Sequence, residues 1–387
     1  MSSKALAFPY RRLFLVCAAS AVAMVALAAS TANPARAARA GNDSFNAVFV
    51  QTNDTSGNQV LAYSRDRNGL LSLSGTYATG GLGGVENGAV VDHLASQGSL
   101  TYDSRQKLLF AVNGGSNSLS VFAVKEHARL QRTEVIPSGG SFPSSVASNG
   151  RFVYVLNAGG GGSVSGFVIV GNFLLPLPFS TRSLNLGNTQ PPFFLTAPGQ
   201  VGFSPDGQQL IVTTKGSTNS IDVFGVGRNG ELSASPTISP SAAGVPFGFV
   251  FSPSGRLVVA EAAGSNLTTY ALNGNGTVTD PKPLPDGQAA LCWVTAIGND
   301  FYVANAGSNT ISHYRSDSAG NLTLEGVVGN TETGAIDLIA ASDGRDIYAE
   351  SGGAGTVDEF GVSADGSLTR LGTITGLPIG LEGIAAT

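Results

Sequence analysis

The sequence predicts an all-β protein folded as a seven-bladed β-propeller, and three observations lead to that prediction. One short pattern recurs seven times at spacings of 44 to 59 residues. Short apolar segments alternate with turns rich in Gly, Asn and Asp, and the 52 glycines follow no collagen-like period. Finally, the first repeat lacks a strand that the end of the chain can supply.

The recurring pattern is an apolar residue followed three positions later by an aromatic residue. Consecutive copies are 59, 45, 57, 46, 44 and 46 residues apart. The seven copies are Val60/Tyr63, Leu119/Phe122, Val164/Phe167, Ile221/Phe224, Leu267/Tyr270, Ile311/Tyr314 and Val357/Phe360. A period in this range, with about four strands per unit, is typical of a β-propeller.

Within each unit we name the predicted strands A to D from the axis outward. Residues 290–314, ALCWVTAIGNDFYVANAGSNTISHY, show strands A, B and C joined by turns at 299–300 and 305–309. Asn, Asp and Gly tolerate the positive φ angles that tight hairpins need. Residues 45–77 supply strands B, C and D only, whereas 378–387, PIGLEGIAAT, resemble an isolated strand A. We therefore expect the C-terminal strand to complete the first blade.

Residues 1–40 are predicted to be an export signal and 41–387 the propeller. Lys4, Arg11 and Arg12 precede an apolar stretch, and two A-x-A cleavage patterns follow at 35–37 and 38–40. Arg11-Arg12 also resembles a twin-arginine export motif, and an ordinary secretory signal is the alternative. Either route predicts a secreted, extracytoplasmic protein with no stable membrane insertion after cleavage.

Charge and cysteine content narrow the function classes. Removing the five basic residues of 1–40 from 21 basic and 26 acidic residues leaves a net charge of −10. This excess disfavours nucleic-acid binding. Only Cys292 would remain, so no intrachain disulfide could form. No ligand spacing suggests a metal or cofactor, and none is expected.

The longest predicted connections indicate which face carries the site. Two D-to-A connections, near 78–97 and 171–198, exceed the usual loop length. In a propeller they emerge on the same face as the B-to-C turns. We expect the functional site on that face.

Charged residues near the ends of strands B are the first candidates. Asn113, Asn157 and Asn305 end three of these strands, where Asn commonly caps a turn. Glu261 and Glu350 break that pattern, as does Lys215, which follows Thr214. These charges near the channel mouth could bind a ligand or form a purely structural ring.

A second set of candidates lies along the inner strands or in the first long loop. The equivalent strand A positions Ser99, Gln200, Gly248, Cys292 and Asp337 should converge on the channel. Cys292 is either a nucleophile or a small buried apolar residue. No other repeat contains a pair like Cys292-Trp293. His93, with Asp92 and Glu86 nearby, is either functional or part of a solvated loop.

The repeats resemble the lactonase-type seven-bladed propellers, the 6-phosphogluconolactonase and 3-carboxymuconate cyclase-like family. The resemblance covers the mature chain and is clearest at 197–224 and 301–314. It implies an Arg-His pair opening one strand A and an Asn-Glu pair ending the next strand B. This sequence has Gly199-Gln200 and Thr214-Lys215 there instead.

Lactone chemistry would therefore need other groups, since it requires a proton acceptor near the substrate. The catalytic candidates are Glu261, His93 and Asp337. The ligand-binding candidates are Lys215, Gln200, Glu350, Cys292 and Trp293.

Two functions remain open from the sequence. The first is an exported lactonase-like propeller that binds a small polar or anionic molecule at the channel mouth and hydrolyses a lactone. The second is a non-catalytic extracellular propeller for binding or surface interaction. Whether the protein is an enzyme stays undecided at this stage.

Overall fold

A computed structural model describes residues 46–387, and within them the chain forms seven antiparallel sheets. The predicted seven-bladed propeller is confirmed. The predicted export signal at 1–40 lies outside the described residues. In the described part of the chain, no helix combines the length and the apolar character needed to cross a membrane.

The blades follow one another along the chain. Blade 1 contains β1 (Ala47–Gln51), β2 (Gln59–Arg65) and β3 (Leu71–Ala78), and blade 2 contains β4 (Leu100–Asp103), β5 (Leu108–Asn113), β6 (Ser118–Val124) and β7 (Leu130–Pro137). Blade 3 contains β8 (Pro143–Ser148), β9 (Phe152–Asn157), β10 (Ser163–Val170), β11 (Phe173–Pro176) and the short β12 (Arg182–Ser183). Blade 4 contains β13 (Gln200–Phe203), β14 (Gln209–Thr213), β15 (Ser220–Gly225) and β16 (Thr237–Pro240).

The remaining blades keep the same order. Blade 5 contains β17 (Pro246–Phe251), β18 (Leu257–Glu261), β19 (Asn266–Leu272) and β20 (Val278–Pro285), and blade 6 contains β21 (Leu291–Ile297), β22 (Asp300–Asn305), β23 (Thr310–Ser316) and β24 (Leu322–Asn330). Blade 7 contains β25 (Ala335–Ala340), β26 (Asp346–Ser351), β27 (Thr356–Val362) and β28 (Leu368–Ile374). The last strand, β29 (Ile384–Ala386), pairs with β1 in blade 1, as the sequence predicted.

The recurring apolar–aromatic pattern now has a physical explanation. Both members lie on the third strand of each blade, and all fourteen side chains are buried. Side chains three positions apart on a strand point to opposite faces. Accordingly, Val60 packs into the core between blades 1 and 2, whereas Tyr63 packs into the core between blades 7 and 1. Each of the seven inter-blade cores receives an apolar residue from one blade and an aromatic residue from the next.

The predicted turn chemistry is also present in blade 6. Gly298 has a φ of 61° and Asn309 a φ of 57°. Both lie in the left-handed region that Gly and Asn enter most easily.

Ring closure is reinforced beside β29 by polar contacts between blades 7 and 1. The buried guanidinium of Arg65 binds Asp346 at 2.6 Å and Asp343 at 3.0 Å. The Tyr348 hydroxyl donates to the Gly69 carbonyl at 2.8 Å. These contacts tie the first and last blades together by side chains as well as by main chain.

Candidate functional site

The inner strands surround a central channel that contains a cavity of about 230 Å³. Residues from the inner strands of six blades line it, among them Gln97, Gln200, Thr295 and Asp337. The cavity extends toward the A-to-B turns, through residues such as Tyr102 and Ile339.

The opposite end of the channel is covered by the loop 79–99, which we call the covering loop. Its residues Leu94, Ala95 and Ser96 are almost completely buried. A second long connection meets it, since Asn87 forms a parallel bridge with Phe193 and its amide donates to Pro192 at 2.8 Å. The two loops that the sequence assigned to one face therefore do meet, and they close the channel there.

β-Bulges expose selected residues of the inner strands. The register of β21 skips Cys292, and that of β25 skips Asp337. A bulged residue has no ladder partner, so the backbone can re-aim its side chain. Asp337 also has a φ of 33°, a left-handed conformation that costs free energy in a residue other than Gly. Strain of this kind is often concentrated at functional sites.

Five carboxyl groups gather around this channel, and we call them the channel cluster. They are Glu86 and Asp92 from the covering loop, Asp337 and Glu350 from blade 7, and Glu382 just before β29. Four of the five residues are at most 3% exposed, and Asp92 buries its Oδ1 atom.

Main-chain amides hold three members of the channel cluster in place. Glu382 accepts from Leu94 N at 2.5 Å and from Ser96 N at 3.3 Å, so it fixes the covering loop. Glu350 accepts from Gly383 N at 2.9 Å. Asp337 accepts from Leu338 N at 2.9 Å.

Other oxygens of the channel cluster have no hydrogen-bond partner within residues 46–387. They are Asp337 Oδ2, Glu350 Oε1, Asp92 Oδ1 and both oxygens of Glu86. A buried polar atom without a partner is costly, and such atoms mark places where a ligand or water can bind.

Lys215 is the cation that approaches the channel cluster, and its charge is already compensated. Its Nζ donates to the Ala95 carbonyl at 2.6 Å and lies 3.8 Å from Glu86 Oε2. The ammonium also lies 5.2 Å from the ring centroid of Phe247. At 1% exposure, Lys215 binds the covering loop to blade 4 and is not accessible from solvent.

Burial raises the pKa of every carboxyl in the channel cluster. The pKa of Asp337 rises to about 8 and that of Asp92 to about 6. The pKa values of Glu86, Glu350 and Glu382 rise well above their ordinary value for the same reason. Asp92 and Glu382 also share a hydrogen bond, which one retained proton supplies.

The structure places Cys292 and Trp293 in the channel wall next to this cluster. Burial, then the charge of Asp92, raises the pKa of the Cys292 thiol, which therefore stays protonated at neutral pH. Trp293 Nε1 donates to the Ser96 carbonyl at 2.9 Å, and its ring packs edge-on against Phe247. Both residues support the covering loop and the channel wall.

Two predicted catalytic residues lie in other environments. The carboxylate of Glu261 accepts from Tyr270 Oη at 2.5 Å and from Ala242 N at 3.1 Å, and it also binds Thr268. These partners belong to blade 5 and the loop before it. His93 is half-buried, and its ring packs against Gly380, where an added Cβ would come within 2.0 Å of the imidazole.

Glu382 is the member of the channel cluster that sequence reasoning missed. It stands inside PIGLEGIAAT, a segment otherwise apolar or small and recognised only as a closing strand. An acidic residue within an inner-strand copy was the available signal. Among the described residues, no group of three or more His, Cys, Asp or Glu side chains is arranged to hold a metal ion.

Comparisons with known proteins agree with the fold. No protein-family model matches the sequence, and no curated protein does. A structure assigned as a 6-phosphogluconolactonase from Bacteroides uniformis is 16% identical, with a TM-score of 0.69 over 89% of this chain and 100% of that chain. The periplasmic gluconolactonase PpgL of Pseudomonas aeruginosa is 19% identical, with a TM-score of 0.66 over 87% of this chain and 98% of that chain. The chain has the seven-bladed fold of the 6-phosphogluconolactonase-like propellers, and at this identity the likeness is one of fold.

Proposed function

We propose that this protein hydrolyses a small, uncharged lactone in the central channel, with Asp337 as the general base. The observation that carries the proposal is the state of Asp337. Its Oδ2 is buried without a partner, it lines the 230 Å³ cavity, and its pKa is raised to about 8. A catalytic base works best when its pKa lies near the working pH.

The chemistry follows from that placement. Ionised Asp337 removes a proton from a water molecule, and the water oxygen attacks the lactone carbonyl. The ring C–O bond then breaks, and the leaving alkoxide takes the proton back from Asp337 to give a hydroxy acid. Gln200 anchors its Oε1 on Phe249 N at 2.6 Å, and its Nε2 hydrogens have no partner among the described residues. That amide is available to donate to the developing oxyanion.

The cavity and its charges set the substrate class. A volume of about 230 Å³ lies below the usual range of roughly 300–1,000 Å³ for small-molecule sites, so it suits one small ring. Five carboxyl groups and one compensated lysine disfavour an anion. We therefore propose a neutral polar ligand, rather than the anionic one that Lys215 suggested in the sequence. The lactonase-like neighbours of this fold support lactone as the class.

A panel of uncharged γ- and δ-lactones tests the proposal, with hydrolysis followed in a pH-stat and the spontaneous rate subtracted. We expect Asp337→Asn to lower kcat/KM by at least about 100-fold, the usual contribution of a general base. Asp222→Asn is the matched control, because Asp222 is also buried with a raised pKa but lies on β15, away from the channel. Turnover that survives Asp337→Asn would remove this residue from the mechanism. Saturable lactone binding without turnover in the wild type would favour the non-catalytic propeller.

A further inference from the structure

A second cavity, of about 730 Å³, lies on the face of the A-to-B turns. The turns at 103–106, 148–151 and 204–208 of blades 2, 3 and 4 form its walls, with the C-to-D turn at 226–228. Tyr102 lines both this cavity and the channel cavity. We call the larger cavity the arginine groove, for the residues described next.

Three arginines line the arginine groove, and all three are exposed. Arg105 spends one N–H on the Asn149 carbonyl at 2.9 Å, and the guanidinium of Arg151 lies 4.8 Å from the ring centroid of Phe152. Arg228 makes no side-chain hydrogen bond within residues 46–387. None of the three pairs with a carboxylate of the described chain, whereas Arg65, Arg256 and Arg370 each do.

The two acids of the arginine groove do not neutralise these arginines. Asp103 accepts from the amides of Arg105 and Gln106, both at 2.9 Å, and also binds the Ser148 hydroxyl. Asp206 accepts from Ser204 Oγ at 2.6 Å and from Gln208 N at 3.0 Å. Their lone pairs therefore serve the turns, while most guanidinium N–H groups remain free. In a chain of net charge −5, this is a local concentration of uncompensated positive charge.

The other groups of the arginine groove indicate what surrounds the acid groups of a ligand. Ser104, Asn149 and Gln208 can exchange hydrogen bonds with hydroxyl groups. Half-buried Tyr102 and Phe203 add aromatic surface between the arginines. Hydroxyl partners and aromatic surface together match a sugar ring better than a bare inorganic anion.

We infer that the arginine groove binds an acidic oligosaccharide whose carboxylates pair with Arg105, Arg151 and Arg228. A guanidinium matches a carboxylate with two parallel hydrogen bonds, which gives geometry as well as charge. The volume of about 730 Å³ holds two or three sugar rings and falls within the usual range for ligand sites. This binding stands independently of lactone hydrolysis in the channel.

Titration calorimetry with a tri-uronate tests the inference, with the methyl ester of the same trisaccharide as the uncharged probe. We expect Arg228→Gln, Arg105→Gln and Arg151→Gln each to weaken tri-uronate binding by about 5- to 10-fold, and the triple variant to abolish it. The ester should not bind. Arg132→Gln is the matched control, because Arg132 is exposed and without a carboxylate partner but contacts Ala78 O on the outer strand of blade 2.

Further arms separate the alternatives. Equal binding of ester and acid, or unchanged binding by all three groove variants, would overturn the inference. Citrate or phosphate binding as tightly as the tri-uronate would also overturn it, because the groove would then be a general anion site. Asp337→Asn should bind the tri-uronate normally, so failure of the channel mechanism remains distinguishable from failure of this site. Melting curves of each variant exclude unfolding as the cause.

Discussion

At the scale of single residues, the retained protons of the channel cluster determine how the molecule responds to pH. Asp337 and Glu350 are buried next to each other's charge, and Asp92 adds a third negative group. Their ionised forms are disfavoured in the folded protein. This one property makes Asp337 a base near neutral pH and makes its ionisation costly to the fold.

The first prediction concerns stability against pH. The folded pKa of Asp337, about 8, lies above its ordinary value of 3.8, so its contribution to stability is complete below pH 4 and is lost as pH rises toward 8. Asn keeps the accepting oxygen without the charge. We expect Asp337→Asn to melt at nearly the wild-type temperature at pH 4 and at least about 3 °C higher at pH 8, since 1 kcal/mol is worth a few degrees. A gap independent of pH, by calorimetry, would contradict the raised pKa.

At the scale of elements, asparagines in the B-to-C turns connect neighbouring blades. The side chains of Asn117, Asn219 and Asn309 accept the amides of Phe142, Val245 and Gly334 at 2.7, 2.5 and 2.7 Å. Each acceptor ends a B-to-C turn in the left-handed conformation, and each donor precedes the next inner strand. A turn residue thus positions the first residue of the following blade.

Blade 5 lacks this contact, which gives a second prediction. Ser265 occupies the corresponding position with a φ of 46°, and Ala290, before β21, has a φ of 59°. Asn adopts the left-handed conformation more readily than Ser, and its amide oxygen can reach the Ala290 N–H. We expect Ser265→Asn to raise the free energy of unfolding by about 0.5–1 kcal/mol in urea. Ser265→Ala is the control, and it should not stabilise. An equal or lower stability of the Asn variant would show that blade 5 is joined differently.

At the scale of the whole molecule, the ring depends on the junction between blades 7 and 1. A propeller blade buries its faces only against its neighbours, so a break at one junction exposes two faces. Here β29, Tyr348 and the Arg65–Asp346 pair act together at the position where the chain ends meet.

The third prediction tests that junction. Arg65→Met leaves Asp346, which is 1% exposed, without its guanidinium partner, and we expect a loss of about 3–5 kcal/mol in unfolding free energy. Arg256→Met is the matched control, because Asp280 in that pair is largely exposed; it should cost about 1 kcal/mol or less. Similar losses for both variants, in denaturant titrations, would mean that Arg65 has no special role in closing the ring.

Much of the architecture could be predicted because it rests on local periodicity. Strand alternation fixed the seven apolar–aromatic pairs, and the unmatched segments at the two ends predicted the closing strand. The site was harder, because one residue of register reverses the direction of a side chain. Glu350 was aligned with Glu261, yet β26 ends at Ser351, so Glu350 faces the channel while Glu261 binds within its own blade.

Other features of the site depend on contacts between distant segments. Glu382 meets Leu94 across 288 positions of sequence, and no local pattern encodes that hydrogen bond. The covering loop closes the channel, which turns Lys215 from an expected ligand-binding cation into a buried partner of Glu86. The arginine groove likewise forms only when turns of three blades come together.

The pH dependence of kcat/KM for an uncharged δ-lactone tests the central claim most directly. With Asp337 as the base, kcat/KM of the wild type should rise tenfold per pH unit below about pH 8 and level off above it. Asp337→Asn should lose that rise, whereas Asp222→Asn should keep it. A wild-type rate that is flat between pH 5 and 9, or a rise that persists in Asp337→Asn, would contradict the assignment of Asp337 as the catalytic base.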